Sequence, residues 1–317
     1  MTFENFSRLT GAELLNDPFI SSFEKIETNP KKIKRGDLFI GDSIEDIELA
    51  LHLEAYAIVS TKNLEIIDEE IAWFKAASLD EVLIKLLRFT LLEKNFRFIY
   101  AHSIEFELIK KIADKQKIIF LNDDEKDSYK KIINADEKSI FFSTDKLFLK
   151  QIYPEYESIE DLTTEIFNCI KKTLFLSSFS YHDKIYKDIK ISPLFLKYLE
   201  KSVSFLDSNH IEYDIEKTSF TIHFHPIFVN QNLELKSFGK TEHVLICESD
   251  KSLIEKELSF LKKEAPWAKT THFELSNLSD LDKLKNIEFN FAIIFVKYDT
   301  LIEILDKKEK KKQIELF

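Results

Sequence analysis

The sequence predicts an α/β protein that contains several small, mainly parallel or mixed sheets flanked by helices. Short apolar runs of strand length alternate along the chain with longer segments whose apolar residues follow helical spacing. The 317 residues are 44% hydrophobic, which is enough for two or three packed domains of roughly 100–150 residues each. We therefore divide the chain into domains at residues 1–93, 94–178 and 179–317.

The first domain begins its α/β alternation at a glycine turn. The pattern predicts in order a strand, a helix and a buried strand over residues 36–40, 43–53 and 55–59. Ser78 and Glu81 have the spacing of a capping box, in which the serine caps the helix and the glutamate answers from its first turn. They predict a helix that ends near residue 92.

The second domain continues as a degenerate α/β unit. The predicted strands cover residues 96–101, 117–121, 139–143 and 174–178, and the predicted helices cover 104–112 and 159–172. Cys169 lies within the second of these helices beside Ile166, Phe167 and Ile170. That setting predicts an inert thiol buried in the core.

The third, C-terminal α/β domain opens less regularly. Ser192 and Pro193 predict the start of a helix that reaches about residue 206, because proline fits the first helical position. Antiparallel strands are predicted over residues 213–224 and 233–237. A final α/β unit follows, with strands over 243–247, 271–275 and 289–296 and helices over 252–263, 278–285 and 300–312.

Charge and targeting signals indicate a cytoplasmic protein. The net charge of −11 disfavours a general nucleic-acid partner, which would need a clustered basic surface. The only dense basic run, residues 307–312, is typical of a solvated helix end. The start of the sequence lacks the features of a secretory signal, and no run approaches the roughly 18 apolar residues of a membrane span. We therefore expect no membrane insertion.

Residues 26–92 resemble the N-terminal domain of the Mur ligases, the ATP-dependent enzymes that add amino acids to the peptidoglycan precursor. The motif that carries the likeness is the run Ile33 to Phe39, which is similar to the family's approach to an early Gly-Asp-Leu-Phe strand. Residues 55–59 and 74–91 fit the strand and the closing strand and helix that follow. The resemblance covers about a fifth of the chain and implies a Mur-ligase-like N-terminal domain.

The resemblance also implies a place for the uridine nucleotide of a precursor, and the sequence departs from the family there. Where the family has an Asp-Ser-Arg triplet, this chain has Asn29, Pro30 and Lys31. Asn29 keeps hydrogen-bonding capacity and Lys31 keeps a positive charge, but a lysine does not reproduce a bidentate arginine contact. Asn29, Lys31, Lys34 and Gly36 are the candidate substrate-binding residues.

A second departure concerns ATP. The family places a glycine-rich phosphate loop after the first strand of its next domain, whereas residues 102–107 here read His-Ser-Ile-Glu-Phe-Glu. No glycine allows backbone N–H groups to wrap a phosphate, and no lysine neutralises it. Glu105 and Glu107 are expected to repel ATP near the helix start. We therefore expect no ATP-dependent ligation, no cofactor and no catalytic residues of the ligase type.

Two other groups of residues could carry chemistry. His223 and His225 alternate on a predicted strand, which would place both rings on one face with His243 and Cys247 nearby, but no diagnostic spacing supports a zinc site. The run Tyr181 to Asp183 is a polar cluster for which a plain turn is the favoured interpretation.

The leading hypothesis is a non-ATP-hydrolysing relative of the Mur ligases, a pseudoenzyme that binds or scaffolds in peptidoglycan precursor synthesis. Its expected partner is a UDP-linked muropeptide precursor or a cell-wall enzyme. One alternative is an active enzyme of unknown reaction with a site near residues 181–183 or at His223 and His225. The other is a structural interaction protein, which a large exposed apolar patch would favour.

Overall fold

The computed structural model describes residues 1–92, 94–121, 124–136, 138–275 and 280–315, and it describes the backbone alone at 125, 280 and 308–315. The chain forms two compact units. The first contains residues 1–100 and 117–157, and the second contains residues 101–116 and 158–317. The division into three domains at 93 and 178 stays a prediction.

The first unit opens with a five-stranded sheet in the order β1-β5-β4-β3-β2. Strands β2 to β5 are parallel, and β1 pairs antiparallel with β5. The elements are α1 (Phe3–Thr10), β1 (Glu13–Leu14), β2 (Ile26–Glu27), β3 (Leu38–Ile40), α2 (Ile44–His52), β4 (Ala57–Ser60), β5 (Ala72–Lys75) and α3 (Leu79–Leu91).

Local sequence explains these boundaries. Ser43 caps α2, and Ser78 caps α3 by accepting from the Glu81 N–H, so the predicted helix starts are confirmed. Gly36 has a φ of +95°, a conformation that favours glycine, at the turn into β3. The parallel strands are apolar on both faces, since one face packs on Phe6 and Phe74 and the other contributes to a smaller cluster.

A second sheet of this unit has the order β7-β8-β6-β9, with β6 and β7 both parallel to β8. Strands β6, β7 and β8 match the predicted runs closely because each is a short apolar segment between helices, whereas the two-residue strand β9 was not predicted. The elements of this stretch are β6 (Arg97–Tyr100), α4 (Ser103–Ile112), β7 (Ile118–Phe120), α5 (Glu125–Ile133), β8 (Ile140–Ser143), α6 (Lys146–Ile152) and β9 (Glu157–Ser158). Of these, α4 belongs to the second unit.

The second unit contains an antiparallel sheet in the order β10-β11-β12, followed by a helix. These elements are β10 (Asn168–Lys172), β11 (Ser177–Tyr181), β12 (Lys184–Ile189) and α7 (Leu196–Ser208). The predicted helix over 159–172 is wrong, because only the 3₁₀ turn Ile159–Asp161 is helical there and Cys169 lies exposed on β10. Phe167 stacks on Phe179 at 4.2 Å, so its apolar character serves strand packing.

The chain ends in a sheet of order β13-β14-β16-β15, in which β14, β16 and β15 are parallel and β13 is antiparallel. The elements are β13 (His225–Val229), β14 (His243–Glu248), α8 (Lys251–Glu264), β15 (Thr270–Glu274), α9 (Asp280–Lys283), β16 (Phe291–Phe295) and α10 (Tyr298–Glu315). The predicted final α/β unit is confirmed, although residues 278 and 279 of the helix predicted over 278–285 lie outside the described residues.

The antiparallel strands predicted over 213–224 and 233–237 are wrong. The first stretch contains the 3₁₀ turn Ile215–Lys217, and a φ of +46° at Phe224 interrupts the extended backbone before β13 begins. The second stretch keeps one isolated bridge between Val229 and Leu235. Side chains after Lys307, including most of the basic run over 307–312, lie outside the described residues. Over the described chain, no helix combines the length and apolar character needed to cross a bilayer.

Candidate functional site

The start of α4 is closed by its own side chains. The His102 ring accepts from the Ile104 N–H at 3.3 Å, and the His102 N–H donates to Glu105 Oε2 at 3.0 Å. In this reciprocal cap, the side chains of His102 and Glu105 accept hydrogen bonds from backbone N–H groups at the N-terminus of α4. The sequence predicted a helix start at this position but did not predict that the glutamate would belong to the cap.

Glu105 is the most unusual group of this region. Its residue is 0% exposed, and its Oε1 has no hydrogen-bond partner among the described residues. Burial, opposed by the hydrogen bond from His102 and by the charge of Lys201, raises the pKa of Glu105 to about 7. Near neutral pH the group therefore changes between a carboxylic acid and a carboxylate.

A cleft of about 590 Å³ lies in the second unit beside Glu105. The start of α4 forms one wall, and α7 and α8 form others. Its apolar surface comes from Tyr198, Phe260 and the turn at Pro193. Five lysines line it: Lys172 of β10, Lys197 and Lys201 of α7, and Lys256 and Lys263 of α8. We call this the lysine cleft.

The lysine side chains are held to different degrees. Lys201 donates to the Glu160 carbonyl at 2.6 Å, and Lys256 donates to the Tyr198 hydroxyl at 3.3 Å. Lys263 lies 3.8 Å from a Glu264 carboxylate oxygen in an exposed pair. Five ammonium groups thus face three carboxyl groups in the cleft, which leaves an excess of positive charge suited to an anion.

His102 also faces the lysine cleft. Its ring centroid lies 5.3 Å from that of Tyr198. Burial is the main cause that lowers the pKa of His102, and the electrostatic effect of His223 lowers it further. The imidazole is therefore neutral at physiological pH, and its Nδ1 remains an acceptor for the helix cap.

A second cluster of buried polar groups surrounds the end of β14. Glu248 Oε1 accepts from His223 Nδ1 at 2.6 Å and from the N–H groups of Ser249 and Asp250 at 2.7 and 2.6 Å. Its Oε2 accepts from the Phe224 N–H at 3.2 Å. Burial alone would raise the pKa of Glu248, but these hydrogen bonds outweigh it and lower the pKa. Glu248 is a buried carboxylate that fixes the chain before β13.

Glu257 of α8 lies near this carboxylate. Burial, the hydrogen bond with Glu248 and the negative charge of that carboxylate raise the pKa of Glu257 well above neutrality, so Glu257 is a neutral acid at pH 7. The protonated Glu257 shares its proton with the Glu248 carboxylate, whereas His223 Nε2 has no hydrogen-bond partner among the described residues. His223, Glu248 and Glu257 are all buried, whereas the lysine cleft is open to solvent.

The expected common face of His223 and His225 is not formed. His223 precedes β13 and binds Glu248, whereas His225 Nδ1 lies 2.9 Å from the Thr221 carbonyl. The His225 ring stacks on Tyr298 at 3.9 Å, and burial lowers its pKa to about 4. The positive φ of Phe224 breaks the strand geometry that would have aligned the two rings. Over the described residues, no group of three or more His, Cys, Asp or Glu side chains could hold a metal.

Residues 181–183 form the tight turn between β11 and β12. His182 has a φ of +49° and stacks on Tyr181 at 4.0 Å. The Tyr181 hydroxyl donates to Asp207, which also accepts from the Tyr213 hydroxyl at 2.8 Å. The favoured interpretation as a turn is confirmed, and the tyrosine hydroxyls serve a structural network.

The four candidate substrate-binding residues all lie between β2 and β3. Asn29 caps the 3₁₀ turn Pro30–Lys32 by accepting from the Lys31 N–H at 3.1 Å. The side chains of Lys31 and Lys34 are exposed, and the Lys34 N–H donates to Asp37 at 2.9 Å. Gly36 shapes the turn before β3. Asn29 and Lys31 follow the carboxyl end of β2, the end at which parallel sheets usually bind ligands, while Gly36 lies at the opposite end.

Sequence analysis missed the buried acids and the lysine cleft. Glu257 shares helical spacing with the buried Leu253 and Leu261, and Glu105 shares it with the buried Leu108 and Ile109. A glutamate on an apolar helix face is the signal that could have indicated both. Helices α4, α7 and α8 line one cleft because of tertiary packing, which a local sequence pattern does not predict.

Comparisons with known proteins identify the fold of this chain. No protein-family model matches the sequence, and no curated protein matches it. Among solved structures, the chain is similar to the MurF ligase of Thermotoga maritima in complex with ADP, with a TM-score of 0.52, 12% identity and coverage of 92% of this chain and 98% of that one. The chain has a Mur-ligase-like fold.

Two structures from Acinetobacter baumannii support the same conclusion. One is MurF, with a TM-score of 0.51, 8% identity and coverage of 92% of this chain and 85% of that one. The other is the UDP-N-acetylmuramoylalanyl-D-glutamyl-2,6-diaminopimelate–D-alanyl-D-alanyl ligase, with a TM-score of 0.51, 9% identity and coverage of 96% and 98%. The Mur-ligase-like fold therefore extends well beyond the stretch that carries the sequence resemblance, and at such identities it specifies architecture alone.

Proposed function

We propose that this protein is a relative of the Mur ligases that binds in peptidoglycan precursor synthesis and does not join amino acids at the expense of ATP. Its partner is a UDP-linked muropeptide precursor or a cell-wall enzyme, and its place of action is the cytoplasm. The proposal joins the Mur-ligase-like fold to the chemistry of the helix entrance at α4.

The observation that carries the proposal is the cap formed by His102 and Glu105. A phosphate loop binds its anion with free backbone N–H groups, glycine flexibility and a lysine. In this chain the corresponding stretch has neither glycine nor lysine, and the imidazole and carboxyl groups already occupy the Ile104 and His102 N–H groups. These features support loss of the Mg-ATP chemistry.

A precursor-binding role gains support from the segment between β2 and β3. Lys31 and Lys34 present two exposed ammonium groups there, and a UDP-linked precursor carries a diphosphate that attracts such charges. Asn29 fixes the turn from which Lys31 projects. We propose that this segment contacts the nucleotide end of the precursor.

Calorimetric titration with UDP-N-acetylmuramoyl tripeptide tests the binding role. We expect saturable binding that weakens about tenfold when Lys31→Ala and Lys34→Ala are combined, because two charge-assisted contacts are lost. Lys150→Ala, an exposed lysine of α6, is the matched control and should bind as the unaltered protein does. Absence of binding by the unaltered protein would reject the precursor, and a pull-down by cell-wall ligases would then decide the partner enzyme.

A further inference from the structure

The lysine cleft is a candidate binding site in the second unit, whereas the residues proposed to contact the precursor belong to the first unit. Its volume of about 590 Å³ lies within the range typical of small-molecule sites. Tyr198, Phe260 and Leu194 give it apolar walls, so an organic body could pack there. Its rim carries the ammonium groups of α7, α8 and β10.

Glu105 supplies an independent indication of a ligand. The residue is fully buried and lines the cleft, yet its Oε1 lacks a hydrogen-bond partner among the described residues. Leaving a buried polar atom without a hydrogen bond costs about 1–3 kcal/mol, so such an atom calls for an explanation. The other oxygen of the same carboxyl group is fixed by the His102 N–H, which holds Oε1 in a defined position.

We propose that the lysine cleft binds a small organic anion, bearing a carboxylate or a phosphate group, and that Glu105 Oε1 contacts this anionic group as a carboxylic acid. The proposal is independent of the precursor-binding role, because the residues assigned to that role belong to the first unit.

The charge of the cleft favours an anion over a cation. Lys197 and Lys201 face it from α7, Lys256 and Lys263 from α8, and Lys172 from β10. Against these stand the carboxyl groups of Glu160, Glu264 and Glu105. Protonation of Glu105 removes one negative charge and turns Oε1 into a donor, so it removes a repulsion and adds a hydrogen bond to the anion.

Binding of the anion is therefore coupled to uptake of a proton by Glu105. Burial raises the pKa of this group to about 7, so the free protein is mostly protonated at pH 6 and mostly ionised at pH 8. By linkage, a ligand that requires the acid should bind up to about tenfold more weakly at pH 8 than at pH 6. The other titratable groups that line the cleft are His102, whose pKa is lowered by burial, Glu160, Glu264, Tyr198 and the five lysines.

The probes are diphenyl phosphate and benzene-1,3,5-tricarboxylate, which represent the two anion types and keep a constant charge between about pH 6 and pH 8. Titration followed by calorimetry should show saturable binding of at least one probe, with the expected loss of affinity at the higher pH. Glu105→Gln keeps a donor and removes the titration, so its affinity should change less than about twofold across the range. The probe that binds identifies the anion type.

Matched lysine variants test the location. Lys263→Ala should weaken binding about threefold to tenfold, whereas Lys262→Ala, the neighbouring exposed lysine of α8 that does not line the cleft, should leave it unchanged. Both substitutions are at the surface, and equal thermal midpoints confirm intact folding. Failure of both probes to bind, equal binding of benzyl alcohol, or a pH dependence that persists in Glu105→Gln would overturn the proposal.

Discussion

Glu105 and Glu248 are both fully buried glutamates of the second unit, and their surroundings differ sharply. Glu248 accepts four hydrogen bonds, three from backbone N–H groups and one from His223. Glu105 accepts one, from the His102 N–H, and its other oxygen has no partner among the described residues. The pKa of Glu248 is lowered, and that of Glu105 is raised to about 7.

The difference shows that burial alone does not assign a role to a charged residue. Burial acts to raise the pKa of both carboxyl groups. The hydrogen bonds to Glu248 outweigh this effect and lower its pKa, whereas the single hydrogen bond to Glu105 does not. Glu248 is committed to holding the chain just before β13 and just after β14. Glu105 keeps one buried oxygen without a hydrogen-bond partner among the described residues in the wall of an open cleft, which is the condition under which a buried acid can respond to a ligand.

The largest expected effect is from removing the charge of Glu248. Glu248→Gln replaces one acceptor oxygen with a donor facing N–H groups, so we expect the free energy of unfolding to fall by about 3 kcal/mol at pH 7. The stabilisation by the carboxylate is present above its unfolded pKa and is lost as the pH falls through its lowered folded pKa. Urea unfolding from neutral to acidic pH measures both. A loss below about 1 kcal/mol at pH 7 would mean that the four hydrogen bonds are not formed.

A smaller, pH-dependent effect is expected for Glu105. Because folding raises the pKa from 4.5 to about 7, the folded protein loses stability relative to the unfolded chain as the pH rises between these values. Glu105→Gln removes that loss, so its stability relative to the unaltered protein should increase by about 2 kcal/mol between pH 5 and pH 8. The measurement is urea unfolding at both pH values, and a constant difference would place Glu105 in a solvated environment.

The smallest effect is expected for Glu257. Its raised pKa makes it a neutral acid at pH 7, so Glu257→Gln preserves both charge and shape and should change the free energy of unfolding by less than about 1 kcal/mol. The same substitution at Glu248 provides the matched comparison under identical urea conditions. Equal penalties at the two positions would contradict the assignment of the charge to Glu248.

Much of the architecture could be predicted because it depends on short-range patterns. The buried strands β3, β4, β8 and β14 consist mainly of consecutive apolar residues. Ser78 is an N-cap residue and indicates where α3 begins. The stretch containing Cys169 is a strand despite its helical apolar spacing, because the same spacing fits an extended segment in which Phe167, just before β10, stacks on Phe179. Likewise, the alternation around His223 resembled a strand, and the positive φ of Phe224 is a tertiary feature.

The candidate site was less predictable than the fold. The sequence located the entrance of α4 and its lack of glycine, and it placed Glu105 there as a group that repels ATP. It could not predict that this side chain would be buried, capped onto His102 and placed beside a cleft that lysines from α7 and α8 line. These contacts join residues that are far apart in the chain, so a local sequence pattern does not predict them.

The most direct test of the central claim is release of inorganic phosphate from Mg-ATP in the presence of UDP-N-acetylmuramoyl tripeptide and D-alanyl-D-alanine, with an active Mur ligase assayed in parallel. The account predicts no release above the rate without protein, because the entrance of α4 offers no glycine loop and its cap occupies the His102 and Ile104 N–H groups. Substrate-dependent phosphate release at a rate comparable to that of the active ligase, abolished by unfolding the protein, would contradict it.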